Sequence, residues 1–151
     1  MAKRKIPITV GDILKIDLGD GAICFARALA EPAYAFYDLK VEVVPDLRTV
    51  ILTPVLFTVW VMNHAVTSGR WEIIGNFPLE KNLEITPKFF KQDPINKKLC
   101  IYFQGKEIPA SIEECEKLER AAVWEPGHIE DRLRDYFAGR PNQWVDLMKI
   151  K

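Results

Sequence analysis

Between Val55 and Gly75 the chain reads Val-Leu-Phe-Thr-Val-Trp-Val-Met-Asn-His-Ala-Val-Thr-Ser-Gly-Arg-Trp-Glu-Ile-Ile-Gly, and this stretch narrows the choice of fold more than any other. Residues Val55 to Met62 are apolar everywhere except Thr58, the pattern of a strand covered on both faces. The run stops at Asn63 and His64, Ser68-Gly69 supplies turn chemistry, and Arg70 to Ile74 restarts an extended segment anchored by Trp71. The simplest reading is a long hairpin. The wider run Val50 to Met62 is expected at the sheet centre, with Pro54 limiting ladder pairing near its start.

Other strands follow from period-two alternation. Leu14, Ile16 and Leu18 alternate with Ile13, Lys15 and Asp17, and Gly19-Asp20-Gly21 turns the chain into Ala22 to Ala30. There Ile23, Phe25 and Leu29 share one face, while Cys24, Ala26 and Ala28 share the other and would let a second layer approach closely. A third strand is expected over Tyr34 to Val43, a short edge segment at Phe89 to Lys91, and a last strand at Leu99 to Phe103. Strands then give way to two helices. Ser111 with Glu114 forms a capping-box pair, and Ile112, Cys115, Leu118 and Ala122 recur at helical spacing, with Glu113–Lys117 and Glu116–Arg120 as pairs on the wet side. Pro126 opens the second helix, Ile129, Leu133, Tyr136 and Phe137 form its stripe, Gly139 stops it, and Trp144, Val145 and Leu147 dock the tail on the sheet. The expected class is α+β, mainly β: one domain over residues 1–151 with a twisted, largely antiparallel sheet, barrel closure left open, and two C-terminal helices.

A chain of 151 residues can bury about 70% of the surface its unfolded form exposes, so no disulfide staple is required. Cys24, Cys100 and Cys115 form no C-x-x-C pair and read as small thiols in a reducing compartment. The basic start, Met1 to Lys5, is followed by too short and interrupted an apolar run for a signal peptide, and Val50 to Met62 falls short of the roughly 20 residues of a membrane-spanning helix. A cytoplasmic protein without membrane association is expected. Lysine plus arginine and aspartate plus glutamate both number 21, so no overall attraction to nucleic acid arises. The charge is uneven, however: Ser111 to Phe137 holds eight acids against four bases, a net of −4, and Lys81 to Lys106 holds six lysines against two acids, a net of +4.

Catalytic constellations are sparse. Only His64 and His128 could serve as histidine ligands, and neither lies in a zinc spacing; a site built from both with Glu125 or Cys115 is weighed against simple turn and helix-start roles. The only serines are Ser68 and Ser111, outside any nucleophile motif, and Gly19-Asp20-Gly21 lacks the lysine of a phosphate loop. No catalytic residue, metal or cofactor is assigned. Asp38, Asn63, His64, Ser68, Arg70, Trp71, Trp124, Glu125 and His128 are motif residues that either hold the fold or line a pocket, with Arg70 expected to pair with Asp38 or a nearby carboxylate.

The Val55–Gly75 stretch, taken with Gly11-Asp12-Ile13, Ala35-Phe36-Tyr37-Asp38 and Trp124-Glu125-Pro126-Gly127-His128, resembles the immunity 26 family of bacterial polymorphic toxin systems. The resemblance implies a mostly β protein that neutralises a cognate toxin domain by protein–protein interaction. Some relatives carry a phosphotriesterase name, so a small metal-assisted hydrolase centred on His64 and His128 stands as the alternative. Gly11-Asp12-Ile13 with its hairpin also resembles the start of small β-barrel endoribonucleases, where Lys15, Asp17, Asp20 and Arg27 would be the matching charges, a sparse set for RNA. Because many effector toxins act on nucleic acid through basic sites, the acidic stretch is the expected partner surface, with Glu113, Glu114, Glu116, Glu130 and Asp131 as its residues. Neither the toxin nor the oligomeric state can be read from these residues.

Overall fold

A computed structural model describes residues 5–151, and the basic stretch from Met1 to Arg4 lies outside them. Ten strands and six helices occur among the described residues, in an α+β, mainly β arrangement. The strands divide between two sheets, and neither closes into a barrel.

The first sheet contains β1 (Asp12–Gly19), β2 (Ala22–Ala28), β3 (Ala33–Tyr37), β4 (Val55–Val61), β5 (Glu72–Asn76) and β10 (Val123–Trp124), in the order β10-β4-β3-β2-β1-β5. All its pairings are antiparallel except the parallel β10–β4 pair. The second sheet contains β6 (Phe89–Gln92), β7 (Leu99–Phe103), β8 (Lys106–Pro109) and β9 (Glu119–Arg120), in the order β8-β7-β6-β9. Its β6–β9 pair is also parallel.

Several expectations change here. The central strands are β2 and β3, with every residue of β3 and six of seven in β2 buried. In β4, by contrast, Phe57, Val59 and Val61 are buried while Leu56, Thr58 and Trp60 are half-buried, and only the two residues of β10 lie outside it. Apolar composition reports burial of both faces, not place in the strand order. Val50 and Ile51 belong to the short helix α1 (Leu47–Ile51), so the long apolar run is not one strand. The expected hairpin is also absent: after β4 the chain forms helix α2 (His64–Thr67) and then pairs as β5 with β1 at the far edge. That connection crosses four strand spacings, roughly 19 Å, with Trp71 passing underneath and meeting Tyr34 and Phe36 edge-on.

β6 is an interior strand, not an edge, and strands continue beyond Phe103 as β8, β9 and β10. β8 closes on β7 through Gln104-Gly105, both at positive φ. The run 119–124 stitches the sheets together: β9 lies beside β6, Ala121 N–H donates to the Phe90 carbonyl, and β10 then lies beside β4. The first C-terminal helix, α4 (Ile112–Glu116), has the expected capping box but stops after five residues. The ion pairs of the described residues include neither Glu113 with Lys117 nor Glu116 with Arg120. Arg120 instead donates to the Met148 and Lys149 carbonyls. Helix α5 (Pro126–Ala138) begins at Pro126 and ends on Gly139 at φ 70°, as expected. The tail forms a further helix, α6 (Gln143–Met148), in which Trp144, Val145 and Met148 pack inward while Leu147 is exposed. Tyr136 of the expected α5 stripe is also exposed.

The alternation read in β2 sorts the core. Cys24, Ala26 and Ala28 face a cluster containing Ile129 and Leu133 of α5, with Trp71 and Trp124. The small side chains let α5 sit close. Ile23 and Phe25 face Tyr37 and Val50 on the opposite side, where α1 packs. Leu29, with Ala33 and Ala35, meets Trp60, Leu79 and Leu83. Trp60 in turn contacts Phe89 and Tyr102, joining the second sheet to the first.

Candidate functional site

The motif residues resolve into two charge-centred anchors and one exposed patch. The first anchor is Arg27, fully buried on the Phe25 face of β2. All five of its N–H groups find acceptors: Nε donates to the Gly11 carbonyl (2.8 Å), Nη1 to Tyr37 Oη (3.1 Å) and Glu80 Oε2 (3.2 Å), and Nη2 to the carbonyls of Phe77 (2.6 Å) and Pro78 (2.9 Å). Gly11 sits at φ 94°, and a Cβ there would lie 2.3 Å from the Phe77 carbonyl oxygen. Asp12 completes the corner, accepting from Thr9 N–H (2.8 Å) and Asn76 Nδ2 (3.0 Å). The Gly11-Asp12-Ile13 motif is therefore a packing device. Arg27 has no part in an RNA-facing surface, because its guanidinium is sealed inside the protein.

Glu130 organises the second anchor. It accepts from Arg70 Nε (2.8 Å) and Nη2 (2.7 Å) in a bidentate pair, and from Trp71 Nε1 (3.0 Å). Burial opposes its ionisation, but the hydrogen bonds from Arg70 and Trp71 and the Arg70 charge outweigh it, holding the carboxyl below its usual range. Arg70 thus pairs with a nearby carboxylate, and that carboxylate is Glu130, not Asp38. Asp38 is exposed at another place, where its charge adds to desolvation in raising the Tyr136 phenol. Gly127, in the first turn of α5, lets the guanidinium lie close, with a built Cβ 3.6 Å from Arg70 Nη2.

Around this anchor lies the exposed patch. His64 Nε2 is 4.0 Å from Glu125 Oε2, with both side chains about half exposed. Ser68 Oγ donates to the His64 carbonyl, Asn63 Nδ2 donates to Glu31, and Tyr34 Oη donates to Asn63 Oδ1 (3.1 Å). Burial pushes the Tyr34 phenol up to about 12, with Glu31 and Asp12 adding to the effect. His128 takes a different partner, stacking on Trp144 at 3.6 Å between ring centroids, while Trp144 Nε1 donates to Asp131 Oδ2. Trp124 is buried beside Arg132, whose guanidinium lies 3.5 Å from the Phe57 ring centre and forms a bidentate pair with Glu119. No group of three or more histidine, cysteine, aspartate or glutamate residues close enough to hold a metal occurs among the described residues. The hydrolase alternative therefore lacks a ligand set built on its two histidines.

The predicted acidic surface is divided by these contacts. Glu130 is buried and turned inward, and Asp131 is engaged by Arg134 and Trp144. Neither belongs to an open acidic face. Glu113, Glu114 and Glu116 remain exposed on α4, with Glu114 closing the capping box. The cysteines are free; Cys24 and Cys115 are buried, and burial pushes the Cys24 thiol up to about 12 despite Lys40. No helix among the described residues is long and apolar enough to cross a membrane.

A mainly β scaffold whose motif charges are spent on packing, with solvent-facing polar patches and no ligand cluster for a metal, has the character of a binding protein. The family profile of Immunity protein 26 matches residues 9–101, more than half of the chain, and the chain belongs to that family. The match runs from the Gly11 corner into β7, so α4, α5 and α6 lie outside it. No curated protein and no solved structure matches the chain.

Proposed function

We propose that this protein neutralises a cognate toxin domain of a bacterial polymorphic toxin system by binding it stoichiometrically in the cytoplasm. Membership of the Immunity protein 26 family carries the reading. The engagement of Arg27, Arg70, Trp71 and Glu130 in internal hydrogen bonds supports it, since these motif residues serve the scaffold and leave recognition to the surface. Inhibitors of this kind act by covering a partner's surface, so affinity resides in a few well-placed anchors.

The test is titration against the toxin domain encoded by the adjacent reading frame. Inhibition should saturate at one chain per toxin and be relieved when the complex dissociates. Multiple turnovers of a phosphoester by the pure chain, abolished by His64→Ala or His128→Ala, would overturn the reading.

A further inference from the structure

Between the sheets runs an open apolar cleft of about 400 Å³, walled by Leu29, Trp60, Leu83, Ile85 and Tyr102. It continues into a recess of about 380 Å³ that shares Leu29, Leu83 and Ile85 and ends at Lys88 and Phe103. Volumes of roughly 300–1,000 Å³ are those of small-ligand pockets, so each space holds one or two large side chains and not a whole helix. Its lip is apolar and wet: Ile85 is 68% exposed and Val10 52%. Folding leaves this surface uncovered, as interaction surfaces do.

The charge around the cleft is positive where it is uncompensated. Lys81, Lys88 and Lys106 are exposed, and none is in an ion pair among the described residues. Against them stands Glu84, while Glu31 is held by Asn63. The acids elsewhere are largely matched internally: Glu119 by Arg132, Glu130 by Arg70, Asp131 by Arg134 and Asp135 by Arg140. A phosphodiester strand suits the cleft poorly, because the lining is apolar and includes Glu31 and Glu84. A protein segment with one apolar anchor and a few carboxylates suits it well.

We infer that this inter-sheet cleft receives a bulky apolar side chain from an acid-flanked segment of the toxin partner, with Lys81, Lys88 and Lys106 meeting the flanking carboxylates. The assignment rests on the toxin-binding reading above and names its contact surface. It asks for an acidic partner, whereas the acidic residues of α4 ask for a basic one, so one experiment separates them.

The probe is a displayed library of random short peptides panned against the full chain. Peptides with an aromatic or leucine residue between Asp or Glu residues should be enriched, and a synthetic consensus should bind more weakly as salt rises. Ile85→Asp and Lys88→Glu with Lys106→Glu should each weaken it by about ten-fold or more. These are surface changes that leave the melting temperature near wild type, and Glu113→Lys with Glu116→Lys should leave binding unchanged. Enrichment of basic peptides, indifference to the cleft variants, retention on RNA through the same lysines, or self-association abolished by Ile85→Asp would each overturn the assignment. Stoichiometric inhibition of the toxin with affinity unmoved by the cleft variants would sink the cleft and spare the toxin-binding reading. Acid-flanked peptides captured as expected by a chain that ignores the toxin would sink the toxin as occupant.

Discussion

At the scale of single residues, the fold depends on buried charge that is fully hydrogen-bonded. Arg27 brings together the Gly11 corner, Tyr37 of β3 and the chain leaving β5 at Phe77 and Pro78. A lysine there keeps the charge but has three donors on a flexible stem in place of five in a planar fork. Arg27→Lys should therefore destabilise the protein by about 3 kcal/mol, which at this chain length lowers the melting temperature by on the order of 10 °C. Calorimetry would register it, and a change of only a degree or two would mean that the five contacts are dispensable. The burial of Arg27 had a visible sign in the sequence: it shares the alternating face of Ile23, Phe25 and Leu29. Its acceptors had none, because they are mostly backbone carbonyls about fifty residues away.

At the scale of elements, local signals held where they were self-contained and failed where a distant strand competed. The Ser111–Glu114 capping box, the Pro126 start of α5 and its Gly139 stop depend on neighbours within a few residues, and each formed as read. The stretch after Glu116 has helical periodicity, yet Glu119-Arg120 and Val123-Trp124 pair with β6 and β4 instead. Two sheet edges and the Trp124 packing site outweigh a few tenths of a kcal/mol of helix propensity per residue. Removing the cap by Ser111→Ala should cost about 1 kcal/mol and act on α4 alone. Hydrogen exchange at the Glu114 and Cys115 amides should quicken while β2 and β3 stay protected. Uniform acceleration across the sheet would show α4 to be part of the main cooperative unit.

For the whole molecule, α5 ties the sheet to the α2–β5 connection through Glu130, which gives stability a pH dependence of definite sign. The Glu130 carboxyl is held below its usual range in the folded protein, so its contribution is complete above the ordinary carboxylate range and is lost as pH falls through the lowered value. Glu130→Gln should cost on the order of 2 kcal/mol at neutral pH, less than a fully buried pair because Arg70 is half exposed. Denaturant melts of wild type and variant should converge in acid; a gap independent of pH would mean that the pair contributes through shape and not charge. What the sequence settled unaided was the α+β, mainly β class, the turns at Gly19-Asp20-Gly21 and Gln104-Gly105, the caps of α4 and α5, the two faces of β2 and the family. Each of these is written in spacings of a few residues or in side-chain chemistry that any neighbour would respect. Only the tertiary structure decided that β5 crosses to β1, that β2 and β3 occupy the centre, that the strands form two sheets, and that Glu130 faces inward to Arg70. Strand partners and buried ion pairs are chosen by groups some sixty positions apart, through burial and register that exist only once the layers have met.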